Sequence, residues 1–122
     1  MGPEAKLYKK LKKNTPRIIW NRIENISILG MPDLLGYNSS GYFFTVELKV
    51  TTGYKLRFSP HQIAWHLSHP QNTFILAEAL GPRLVKLFRG SQIKELVACG
   101  FKLEACSLGL EICAIDLETL GA

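Results

Sequence analysis

A chain of 122 residues, 47% hydrophobic and 20% charged, is sized for one domain over residues 1–122 and too apolar for disorder. No apolar run approaches the roughly 20 residues that span a bilayer, and the Lys-rich opening from Met1 to Asn14 lacks the apolar core of a signal peptide. A soluble cytoplasmic protein is the expectation. The net charge of +5 is uneven, with ten Lys/Arg against four Asp/Glu in residues 1–60 and five against six in residues 61–122. The first half is therefore where a polyanion would dock, unless its lysines serve only solubility.

Taken in chain order, residues 3–13 read as a helix that starts with Pro3 and ends at Asn14-Thr15-Pro16. Leu7, Tyr8 and Leu11 share one face, and Glu4, three residues before Leu7, falls on that inward stripe. Lys9 and Lys13 belong to the cationic remainder. Residues 17–28 are β-branched and aromatic and read as a strand or bent strand. Gly30 to Tyr37 and Tyr42 to Thr51 flank the polar turn Asn38-Ser39-Ser40-Gly41, which predicts an antiparallel hairpin. With the turn centred between Ser39 and Ser40, Asp33 would lie opposite Val46.

Ser59-Pro60 opens a helix that stops near Ser68, before Pro70. Thr73 to Leu80 and Arg83 to Phe88 read as strands about a Gly81-Pro82 turn, and Ser91 as the cap of a helix through Cys99. The tail from Phe101 is ambiguous, with a strand followed by a short helix preferred. The expected fold class is α/β, a central mixed β-sheet flanked by helices in the order α-β-β-β-α-β-β-α. Cys99, Cys106 and Cys113 form no CxxC and no zinc spacing, so free thiols in a reducing compartment are expected.

The hairpin carries the chemistry. Alternation along Val46-Glu47-Leu48-Lys49-Val50 projects Glu47 and Lys49 together and turns Val46, Leu48 and Val50 toward a core. Asp33 reaches the same region from across the hairpin. Two neighbouring carboxylates repel unless they share a proton or a cation, and hard oxygen ligands suit Mg²⁺ or Mn²⁺, with the Leu48 carbonyl as a further ligand. Lys49 could then orient or deprotonate water, or neutralise charge developing on a phosphate. A Glu-x-Lys on an open strand can equally be a surface ion pair.

Three ordered blocks resemble the PD-(D/E)xK nuclease superfamily, and most closely its small phage-type virus-type replication-repair nuclease (VRR-NUC) domains. They are Gly30-Met31-Pro32-Asp33-Leu34-Leu35-Gly36, then Phe44-Thr45-Val46-Glu47-Leu48-Lys49, then Phe58-Ser59-Pro60-His61-Gln62-Ile63-Ala64-Trp65. The resemblance covers about residues 3–90. It implies a restriction-endonuclease-like core, with Asp33, Glu47 and Lys49 catalytic and Gln62 in support. It implies Asp33, Glu47, the Leu48 carbonyl and a first-helix acid as ligands of Mg²⁺ or Mn²⁺. Glu4 fits that acid by position, with Glu24 as its competitor.

The activity implied is metal-dependent DNA endonuclease, selective for branched DNA such as Holliday junctions or else nicking. A homodimer with one site per strand would suit a two-fold substrate. The location would be a host cell's cytoplasm if the chain is phage-encoded, with no membrane and no organic cofactor. Lys55 and Arg57, on the loop between the catalytic strand and the Gln62 helix, are placed to touch phosphates, and Lys9 and Lys13 are further candidates. His61, His66 and His69 have no zinc-hydrolase spacing and read as helix-surface or capping residues. Trp65 reads as packing rather than stacking on a base. The competing readings are a non-catalytic nucleic-acid-binding module and an assembly protein in which Glu47 and Lys49 are a surface pair.

Overall fold

A computed structural model describes residues 2–23 and 29–122. Helix α1 spans Pro3–Asn14; strands β1 (Ile19–Arg22), β2 (Leu34–Tyr37) and β3 (Phe43–Thr51) follow. Then come α2 (Pro60–Ser68), β4 (Thr73–Ala79), β5 (Leu84–Arg89), α3 (Ile93–Cys99), β6 (Ser107–Leu108) and α4 (Leu110–Glu118). Short 3₁₀ turns at Gly90–Gln92 and Gly100–Lys102 bracket α3. The expected order is met through α3, and the tail adds β6 and α4. Among the described residues no helix is long and apolar enough to cross a membrane.

The six strands form one sheet in sequence order, antiparallel at every junction except β3–β4. That parallel pair needs a crossover, and α2 provides it. β4 is buried along its whole length, which is why TFILAEA reads as an almost unbroken apolar run rather than an alternating one. Leu7 and Leu11 of α1 and Cys113 and Leu117 of α4 pack one sheet face over Leu34, Phe44, Val46, Leu48 and Leu76. On the other face Ile93 and Leu96 of α3, with Ile63 of α2, cover Ile75, Ala77 and Phe88.

Helix α1 is mostly cationic outside this contact, so its attachment rests on few groups. Burying each leucine contributes about 1.5–3 kcal/mol. The ion pair from Lys10 Nζ to Glu78 Oε2, at 2.7 Å, ties the helix to the middle of the sheet because Glu78 is only 5% exposed. Glu78 would be an unpaired buried charge without it.

Two expectations change. The hairpin pairs Leu34 with Val46 and Tyr37 with Phe43, one residue away from the register that opposed Asp33 to Val46. The loop closes through Asn38 N–H to the Tyr42 carbonyl at 3.1 Å, leaving three residues with Gly41 at φ +81, an odd-length loop with a left-handed glycine. Ser91 does not cap α3. It lies inside the 3₁₀ turn, and it is Gln92 that accepts from the Arg89 N–H at 3.0 Å. The first predicted strand is four residues long, and its far end at 24–28, including Glu24, lies outside the described residues.

Candidate metal and catalytic site

The corrected register strengthens the hairpin as a site. Leu34 faces the α1–α4 core, and Asp33, just ahead of β2, sits at the end of the sheet, where it meets both Glu47 and Glu4 of α1. Strand β3 thus divides its labour: Val46, Leu48 and Val50 hold the core, while the intervening residues face α2. The Asp33 Oδ2 accepts from the Leu48 N–H at 2.7 Å, which locks the acid onto β3.

Gln62 completes the arrangement. Its Nε2 donates to Glu47 Oε2 at 3.3 Å, and its Oε1 accepts from Lys49 Nζ at 3.0 Å. Glu47 and Lys49 therefore meet through an amide, and among the described residues they form no direct ion pair. The same Oε1 accepts from the Ser59 N–H at 3.0 Å, while the Gln62 N–H donates to Ser59 Oγ at 3.1 Å. That is a capping box at the start of α2. Lys49 also lies 4.7 Å from the centre of the Phe58 ring.

The segment leading to Asp33 is seated on the same helix. Gly30 adopts φ +84 and lies against the His61 carbonyl, where a Cβ would overlap that oxygen. Only glycine meets both conditions at once, so the Gly-Met-Pro-Asp loop and the Gln62 turn are packed in register.

Electrostatically the site is unsettled as it stands. Glu47 is 2% exposed, and its carboxyl is pushed up to about 9, first by burial and then by the neighbouring Asp33 charge. Lys49 pulls the other way but does not offset these. Two acids this close favour the state in which one of them holds a proton. Among the described residues the Oε1 of Glu47 has no hydrogen-bond partner. Such an orphaned buried oxygen beside a second acid fits a hard divalent cation.

A small cavity of about 40 Å³ lies on the Asp33 side of the pair, lined by Glu4, Asp33 and Leu48 together with Tyr8 and Arg22 and not by Glu47. It is roomy enough for one ion or water. Glu4 is itself exposed, contrary to its expected inward placement. Partial burial and then the Asp33 charge still raise its carboxyl above the ordinary range. Among the described residues no three His, Cys, Asp or Glu side chains converge tightly enough to form a metal cluster. A cation held here would rely on Asp33 and Glu47, with backbone and water filling the remaining positions.

A groove of about 740 Å³ opens beside the site, lined by Glu4, Lys49 and the loop from Val50 to Arg57. Lys55 and Arg57 are exposed on its wall, and Lys9 and Lys13 are exposed on α1. His69 ends α2 as a cap and stacks on Trp65 at 4.0 Å, and His61 is exposed.

His66 departs from the surface role expected of it. It is fully buried, with neither ring nitrogen partnered among the described residues, and burial above all pushes it down to about 4. Trp65 is only partly buried and lines an apolar hollow with Phe43 and Phe44. Cys99 and Cys106 are exposed free thiols and Cys113 a buried one.

Sequence reasoning missed Arg22 and Tyr8 beside the small cavity. Arg22 lies 5.7 Å from the Tyr8 ring centre, a contact between two elements with no motif to announce it. No protein-family model, no curated protein and no solved structure matches this chain.

Proposed function

We propose that the chain is a Mg²⁺- or Mn²⁺-dependent DNA endonuclease of the PD-(D/E)xK kind, resembling VRR-NUC domains and built on a restriction-endonuclease-like core. The observation that carries the reading is the convergence of Asp33, Glu47, Lys49 and Gln62 at one end of the sheet, with a Glu47 oxygen beside Asp33 that has no partner among the described residues. A surface ion pair does not account for it, because Glu47 is buried and bonded to Gln62 rather than to Lys49.

In this reading Asp33, Glu47 and the Leu48 carbonyl hold the cation, with Glu4 leaning over the rim. When bound there, the ion would supply Lewis acidity at a phosphate oxygen and make an attacking water more acidic. Asp33 is kept in place by the Leu48 N–H. Gln62 orients both Glu47 and Lys49, and the Lys49 ammonium, cradled by the Gln62 oxygen and the Phe58 ring, faces the groove where a scissile phosphate would lie. Its charge would offset the negative charge that grows on that phosphate as the bond breaks. Lys55 and Arg57 would grip neighbouring phosphates, with Lys9 and Lys13 extending the cationic surface along α1. The substrate class proposed is branched DNA such as a Holliday junction, or else DNA that the enzyme nicks, with a homodimer supplying one site per strand.

The test is cleavage of labelled duplex, flap and four-way-junction DNA with Mg²⁺, Mn²⁺ or EDTA. Metal-dependent cutting is expected from the wild type, falling at least about a hundredfold in Glu47→Gln and Lys49→Ala. Full activity in Glu47→Gln overturns the assignment. Salt-sensitive binding with no cutting under any metal selects a non-catalytic binding module instead.

A further inference from the structure

The groove beside Lys49 has one wall that phosphate contacts do not explain. Tyr54 lines it between Gly53 and Lys55 with 53% of its surface exposed. An exposed tyrosine on a loop is ordinarily free to swing, but this one is anchored from three directions by a single 3₁₀ turn. The Phe101 N–H donates to the Tyr54 carbonyl at 2.5 Å. Gly100, at φ +66, lies so close to the same carbonyl that a Cβ would overlap it. Lys102 Nζ stands 4.2 Å from the centre of the Tyr54 ring. Two residues later, Leu56 is buried in the core, which fixes the loop again.

The tail segment Gly100–Lys102 therefore fixes the backbone that carries an aromatic ring at the edge of a cationic groove, with Lys102 beside the ring. Lys49, Lys55 and Arg57 line that groove, and Glu4 is the one acid among its lining residues. A flat π surface beside a row of cations suits a nucleotide whose base is free to stack while its phosphates track the charges. Bases inside a duplex have their faces covered by neighbours and cannot use such a ring. An unpaired base can.

We propose that Tyr54 is a stacking platform for an unpaired nucleotide next to the cutting site, and that it makes the protein select junctions between single- and double-stranded DNA over continuous duplex. This rests on the nuclease reading for the nature of the polyanion. The residues responsible are Tyr54, which receives the base, and Lys102, Gly100 and Phe101, which position it.

The experiment is a binding titration of the wild type in EDTA, so that cutting does not intervene. One probe is a blunt duplex. The other is the same duplex with a short single-stranded tail carrying 2-aminopurine, whose fluorescence stacking quenches, as its first unpaired base. The wild type and Tyr54→Phe are expected to quench the probe. Tyr54→Ala, which leaves both backbone anchors in place, should lose the quenching and about tenfold in affinity for the tailed DNA. Its affinity for the blunt duplex should change by less than about twofold.

Undiminished quenching in Tyr54→Ala, or an equal loss of affinity for both DNAs, overturns the platform and leaves the nuclease reading standing. Absence of salt-dependent binding of either DNA by the wild type removes the nuclease reading, and the platform with it.

Discussion

Glu47 carries a carboxyl that the fold has taken out of water and set beside Asp33. The unfolded chain ionises this group near 4.5 and the folded protein near 9. Between those values the unfolded state gives up its proton first, so Glu47 lowers stability as pH rises from about 4.5 toward 9. A divalent cation held by the native state, as proposed, would reverse that penalty. Melting temperatures should therefore rise by several degrees on adding Mn²⁺ at pH 8, and much less at pH 5. In Glu47→Gln the rise should vanish while the metal-free melting temperature at pH 8 goes up; an unchanged response to Mn²⁺ would count against a metal site. His66 acts with the opposite sign. Its pKa drops from 6.5 to about 4 on folding, so the stability it supports is whole above 6.5 and is lost as pH falls through 4. His66→Leu should flatten the acid limb of a denaturation-midpoint profile even if packing changes its height, and a limb of unchanged slope would place the acid sensitivity elsewhere.

At the scale of elements, the site depends on how the Gly-Met-Pro-Asp loop meets the first turn of α2. Gly30→Ala would force a Cβ into the His61 carbonyl at a left-handed φ, at a cost of about 1–3 kcal/mol, and would shift Asp33. Gly53→Ala, where nothing lies within 4 Å, is the control and should melt like the wild type. Equal melting temperatures for the two variants would show that the loop is not clamped. The same elements show what a sequence can disclose. Ser59-Pro60 and the alternation of Val46 to Val50 announced α2 and the two faces of β3, because cap chemistry and period are local. The hairpin was displaced by one residue because the polar stretch from Asn38 to Gly41 is compatible with even or odd loops. Asn38 decides for odd by accepting from the N–H groups of Ser40 and Tyr42. Hydropathy misread α2 as well: His66 is fully buried while Leu67 next to it is 49% exposed. The tail stayed ambiguous because Ile112 and Ile115, both more than half exposed, blur the period of α4.

The whole molecule places its chemistry away from its most apolar layer. The α1–α4 face is a closed core, while the cationic groove opens at the end of β3, between Glu4 of α1 and the loop that runs to Arg57. Contacts such as Lys10 with Glu78, 68 residues apart, or Tyr54 with Lys102, exist only once the sheet has assembled, and for that reason no stretch of sequence forecasts them. If the groove docks DNA, affinity should fall steeply and linearly on a log–log salt plot, and Lys55→Ala or Arg57→Ala should each reduce the slope by about one. A slope near zero in the wild type would mean that phosphates are not what the groove receives.

One amide oxygen, that of Gln62, closes the first turn of α2 and also steadies Lys49. The site is consequently not something added to a finished helix. Whatever draws Gln62 toward a ligand loosens the helix start, and fraying there sets Lys49 free. Local opening of that turn and the readiness of the site are a single equilibrium, so the exchange of the Ser59 and Gln62 amide protons with solvent would report, from the backbone itself, whether the site is engaged.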